Sequence, residues 1–183
     1  MFCPLVFLKV SSGKGLQGLV FGNSNKKYIK QSILLGVSTF AFIFIAYFLL
    51  RPLLSSDMII GALSNIGIDR ENFVFVFVYV IFVNAALEEL FFRGFVFLNL
   101  YRRGHKRYAH LLSSLLFALY HVSIIRSGAV PGVLLFGTAG LFVTGLFFNE
   151  LARRTDGAIG SYAVHASANL AINIIGLYYM YHQ

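Results

Sequence analysis

Five apolar runs, each near the length of a bilayer crossing, constrain this chain more than any other feature. They are SILLGVSTFAFIFIAYFLL (32–50), a run from about Asn72 to Tyr101, HLLSSLLFALYHVSII (110–125), AVPGVLLFGTAGLFVTGLFFNEL (129–151) and IGSYAVHASANLAINIIGLYYMY (159–181). A crossing takes about 20 mostly apolar residues at about 1.5 Å each. The runs therefore predict about five transmembrane helices, of which the third is the shortest. Strands of a membrane barrel would be shorter and would alternate apolar with polar residues; these runs do neither. Composition agrees, with 58% hydrophobic residues and only 12% charged. Soluble domains sit nearer ~45–50% and ~25%. The expected fold class is an all-α polytopic membrane protein.

The net charge of +8 raises the question of nucleic acid, and its distribution answers no. With five spans and a cytoplasmic N-terminus, Lys9, Lys14, Lys26, Lys27, Lys30, Arg102, Arg103, Lys106, Arg107, Arg153 and Arg154 fall inside. Arg51, Arg70 and Arg126 fall outside, and Arg93 falls within a span. That is the positive-inside bias of a multi-pass protein. It predicts an external C-terminus, contact with anionic lipid at the cytoplasmic face, and the plasma membrane as location for a prokaryotic chain. Tyr28, Tyr101, Tyr108, Tyr178, Tyr179 and Tyr181 fall near predicted span ends, as an interfacial belt would. The single cysteine, Cys3, excludes an intrachain disulfide framework and a CxxC metal site. The opening MFCPLVFLKV is too short to span and lacks the basic start of a signal peptide.

Polar residues inside the spans are the next constraint. The second run carries Asn84, Glu88, Glu89 and Arg93; the third carries His121; the fifth carries His165, Asn169 and Asn173. Glu89 and Arg93 are four apart with the acid first, the favourable order for a pair on one helix face. Glu88 points about 100° away and is uncommitted. His165 and Asn169, also four apart, face one neighbour, and the small residues around them let another helix approach closely. Each feature alone has an ordinary reading: a structural ion pair, a satisfied core histidine, hydrogen-bond glue between helices. Glu150 with Arg154 reads as a pair at a helix end. Jointly, ionisable groups converging inside a membrane mark a functional site, because glue does not require an uncommitted glutamate. Counting about 1.5 Å per residue, the carboxylates and His165 are expected in the cytoplasmic half, with His121 nearer the middle of its span.

Three short motifs carry a family resemblance. EELFFR (88–93) matches EExxxR, FALYH (117–121) matches FxxxH, and HASAN (165–169) matches HxxxN. In that order on three helices they resemble the CPBP intramembrane proteases, which include the type II CAAX prenyl endopeptidases and the bacterial Abi proteins. The resemblance covers roughly residues 72–181, so 72–183 is expected to form a four-helix protease core. Residues 29–71 would supply a first transmembrane helix and external loop, and 1–28 a cytoplasmic N-terminal surface segment. Relatives commonly carry further membrane helices before the first motif, where this chain has one clear span.

The resemblance implies an intramembrane endopeptidase acting on a membrane-associated or lipidated peptide. Glu88 would be the general base toward water with His121 as its partner, and Glu89 would orient the site, held by Arg93. His165 and Asn169 would stabilise the oxyanion. The family has been described as metalloproteases, and Glu88, Glu89, His121 and His165 are the candidate zinc ligands. The HExxH helix of zinc proteases is absent, so the expectation is a water activated by glutamate with no cofactor. The alternative is a catalytically silent membrane scaffold, or an immunity or regulatory protein, that keeps the fold. A proton or ion pathway ranks below both, because the fourth run offers no polar group toward the outer face.

Overall fold

Each apolar run becomes a helix, as it must where no water is available to satisfy backbone amides. The computed structural model describes residues 26–53, 55–125 and 131–182, together with Gly18, Val20 and Gly22. Most of the expected N-terminal surface segment, 1–28, lies outside the described residues. The helices are α1 (Lys26–Leu50), α2 (Ser56–Asn65), α3 (Phe73–Arg102), α4 (Lys106–Ile125), α5 (Pro131–Thr155) and α6 (Ile159–Tyr181). No strand occurs among the described residues, and the chain is an all-α membrane protein. By length and composition α1, α3 and residues 134–155 of α5 suffice to cross a bilayer. Helices α4 and α6 have span length at 20 and 23 residues. Helix α6 dilutes its apolar run with the polar residues that matter below.

The stretch expected as an external loop between the first two spans holds a short helix. Helix α2, at 10 residues, is too short to cross. Gly67 ends it at φ +79, with Ile68 N–H donating to Leu63 O and Gly67 N–H to Ser64 O. The same arrangement ends α3, where Gly104 stands at φ +91 and His105 and Gly104 donate to Leu100 O and Tyr101 O. Such paired bonds need a left-handed residue, which glycine adopts without penalty.

Small residues set the helix contacts. Helix α1 packs on α6 at Gly36, where an added Cβ would lie 2.7 Å from Ser167 Oγ and 3.0 Å from Ala163 O. Helix α4 packs on α5 at Gly145, where a Cβ would lie 2.8 Å from Ser114 Cα. Beside that crossing the buried Asn149 amide donates to Ser114 Oγ at 3.0 Å and to His110 O at 3.1 Å. Helix α3 lies against α4, α5 and α6. The outward faces carry Leu34, Phe42, Leu49, Phe75 and Phe136, all exposed, as lipid-facing residues are.

Helix α3 is not a regular α-helix. Residues Tyr79–Asn84 and Leu90–Phe97 form wider π turns around a short α segment, Ala85–Glu89. Ala85 N–H donates to Val80 O and Leu98 N–H to Arg93 O, five residues back. Donors from other helices reach carbonyls in these turns: Asn169 Nδ2 to Val80 O at 3.2 Å and Ser113 Oγ to Phe92 O at 2.9 Å. Neighbouring side chains thus help satisfy backbone groups in the turns, which is how irregular helix survives at membrane depth.

Candidate active site

The π turn at Leu90–Phe97 helps four polar residues of α3 share one neighbourhood. In an unbroken α-helix Asn84 and Arg93, nine residues apart, would stand about 180° apart. The wider turn from Leu90 onward rotates each residue by less, which draws Arg93 toward the face of Asn84 and Glu88, while its pairing with Glu89 is ordinary i, i+4 geometry. Glu88 is 6% exposed, and Glu89 and Arg93 are 0% exposed. π segments occur often at functional sites, and here they flank the two carboxylates.

Each carboxylate has its own partners. Glu89 Oε1 accepts from Arg93 Nη1 at 3.0 Å and from His165 Nδ1 at 2.9 Å. Glu88 Oε1 accepts from Asn84 Nδ2 at 2.5 Å. Its other oxygen, Oε2, is buried without a hydrogen-bond partner in the protein. It faces His121 Nε2 at 3.5 Å and His165 Nε2 at 3.8 Å.

The partners also assign the imidazole protons. His121 Nδ1 sits 2.9 Å from Phe117 O, and a carbonyl can only accept, so Nδ1 carries the hydrogen. His165 Nδ1 faces a carboxylate and carries its hydrogen likewise. In the neutral rings both Nε2 atoms then present lone pairs toward Glu88 Oε2. Three acceptors converging on one volume suit a bridging proton donor, such as a water or a protonated imidazole. The arrangement can therefore bind a water and draw a proton from it.

Five of the expected site residues thus meet: Glu88, Glu89, Arg93, His121 and His165. Asn169 lies on the His165 face of α6 but spends one amide N–H on Val80 O. Asn84 is the site residue that the motif reading passed over. Its spacing of four from Glu88 was the available signal, and a hydrogen bond between the two is what that spacing permits. His165 lies six residues after Ile159, the first residue of α6, and the α5–α6 turn before it is packed, with Thr155, Gly157 and Ala158 buried. His121 in turn sits one turn from the far end of α4. Two imidazoles and a carboxylate are the donor types of a catalytic zinc site. Among the described residues, however, no group of three or more His, Cys, Asp or Glu side chains is arranged to hold a metal ion.

A family model described as type II CAAX prenyl endopeptidase Rce1-like matches residues 70–171. No curated protein and no solved structure matches the chain. The matched region takes in Glu88, Glu89, Arg93, His121, His165 and Asn169, and it exceeds half of the 183 residues. On that match, the chain belongs to the type II CAAX prenyl endopeptidase Rce1-like family.

Proposed function

We propose that this protein hydrolyses a peptide bond of a membrane-associated or lipidated peptide, using Glu88 as the base that activates water. The carrying observation is the state of Glu88. One oxygen is held by Asn84, and the other, buried and without a protein partner, faces two imidazole nitrogens. In this reading Glu88 Oε2 takes a proton from water as the water oxygen attacks the peptide carbonyl carbon. The bound proton then passes to the leaving amine as the C–N bond breaks, returning Glu88 to its carboxylate. A base so placed contributes typically ~10²–10⁴-fold.

His121 Nε2 accepts the second hydrogen of the water and fixes its orientation. His165 stabilises the oxyanion only when protonated, because its neutral form presents a lone pair from Nε2. The Glu89 carboxylate at 2.9 Å from Nδ1 holds the His165 ring, much as a buried carboxylate orients the histidine of a catalytic triad. The second amide N–H of Asn169 supplies a further donor. No step is assigned to a metal. The basic excess on one side, in this reading cytoplasmic, holds that face against anionic lipid.

Purified protein incubated with membrane-tethered and prenylated peptides, read by mass spectrometry, tests the proposal. Wild-type protein should release a product, and folded Glu88→Gln should release none. A folded Glu88→Gln variant with wild-type turnover would refute the base assignment. If no peptide in such a set is cut, the silent-scaffold reading replaces the enzyme.

A further inference from the structure

Helix α5 contributes no residue to the three motifs, yet one of its side chains lies against the charged centre of the site. Arg93 is fully buried, and only Nη1 has a carboxylate partner; Nε and Nη2 have no hydrogen-bond partner in the protein. A guanidinium is always charged, and burying it with two of its nitrogens unmatched is costly. What surrounds it is aromatic. Its carbon lies 4.2 Å from the centroid of the Phe117 ring and 5.0 Å from that of Phe148, with Phe92 at 5.8 Å. Aromatic faces at this range attract a cation, and more strongly where water is excluded. Phe148 is 4% exposed, and its ring is tilted against that of His165 at 5.4 Å.

We infer that Phe148 is a positioning residue: with Phe117 it seats the Arg93 guanidinium, and so sets Glu89 and through it His165. The inference rests on the endopeptidase reading for its effect on rate, although the seating itself does not. Phe117 also touches the His121 ring at 4.4 Å, so a change there perturbs two groups at once. Phe148 touches Arg93 and His165, both of which belong to the Arg93–Glu89–His165 series it is inferred to set.

Mono-, di- and trifluorinated phenylalanine at position 148 weaken the negative ring face in steps while nearly keeping its shape. On a tethered peptide that the wild type cuts, kcat should fall stepwise, reaching roughly tenfold for the trifluoro ring, with KM changed less than twofold. Phe148→Tyr should keep most of the rate, and Phe148→Leu should lose at least as much as the trifluoro ring. A folded series with level kcat would overturn the inference. A second measurement needs no activity. In arginine-labelled protein the Arg93 side-chain resonance should carry a ring-current shift that Phe148→Leu measurably reduces, the nearer Phe117 ring supplying the remainder. If the wild type cuts nothing, the endopeptidase reading fails and this resonance alone decides. A reduced shift then supports the seating, and an unchanged resonance refutes it.

Discussion

Arg93→Ala and Glu89→Ala, summed, are expected to destabilise the protein by more than removal of the whole charged pair does. The Glu89–Arg93 bridge is 3.0 Å long, and its side chains are 1% and 0% exposed. Breaking a buried pair from one side typically costs ~3–5 kcal/mol, because a charge is left behind uncompensated. Here Glu89 would retain its bond from His165 Nδ1 at 2.9 Å, which points to the lower end, ~3 kcal/mol. Glu89→Ala should cost more, toward ~5 kcal/mol, since it strands the Arg93 guanidinium without its carboxylate partner and frees His165. The double variant leaves no stranded charge, and its cost is the cavity and the freed His165. It should therefore fall short of the sum of the singles by ~2–3 kcal/mol, the upper part of the range for coupled neighbours. Reversible unfolding in mixed micelles, followed by ellipticity, measures all four corners of the cycle. Additivity within ~0.5 kcal/mol would refute the view that the pair acts as one neutralised unit.

Asn84→Ala removes the donor on Glu88 Oε1; a hydrogen bond to a charged group is worth ~1.5–3 kcal/mol. Steady-state kinetics on a cleaved peptide should show kcat reduced roughly ten- to hundredfold, and an unchanged kcat would remove Asn84 from the site. Gly145→Ala places a methyl 2.8 Å from Ser114 Cα, so α4 and α5 must separate at a cost of ~1–3 kcal/mol. Gly140→Ala, which meets nothing within 4 Å, should be neutral or stabilising in the same unfolding assay. Strong chelators should leave turnover intact and elemental analysis should find no stoichiometric zinc; loss of activity that added zinc restores would replace the metal-free mechanism. A reporter fused at the C-terminus should read external, and a cytoplasmic reading would overturn the five-crossing topology.

The helical membrane architecture was legible before any coordinates, because length and apolar composition alone select helices in lipid. The runs at 32–50, 110–125, 129–151 and 159–181 reappear as α1, α4, α5 and α6 with shifts of a few residues at the ends. Glu88, Glu89, Arg93, His121 and His165 were legible too, because a polar group inside an apolar run stands out and spacing by four assigns a face. Tertiary structure decided the rest. Periodicity read over a window assumes one helical repeat, so it could not reveal the two π turns of α3, the second of which turns Arg93 toward the face of Asn84 and Glu88. Phe148 looked like any other lipid-span phenylalanine, because an aromatic residue shows its role only through what it faces. Asn169 kept its expected face but donates to the Val80 carbonyl in a π turn of α3, which no spacing within α6 could report. Which polar groups meet is encoded along each helix. Which of their atoms remain without partners depends on how five helices cross, and a single helix carries no record of that.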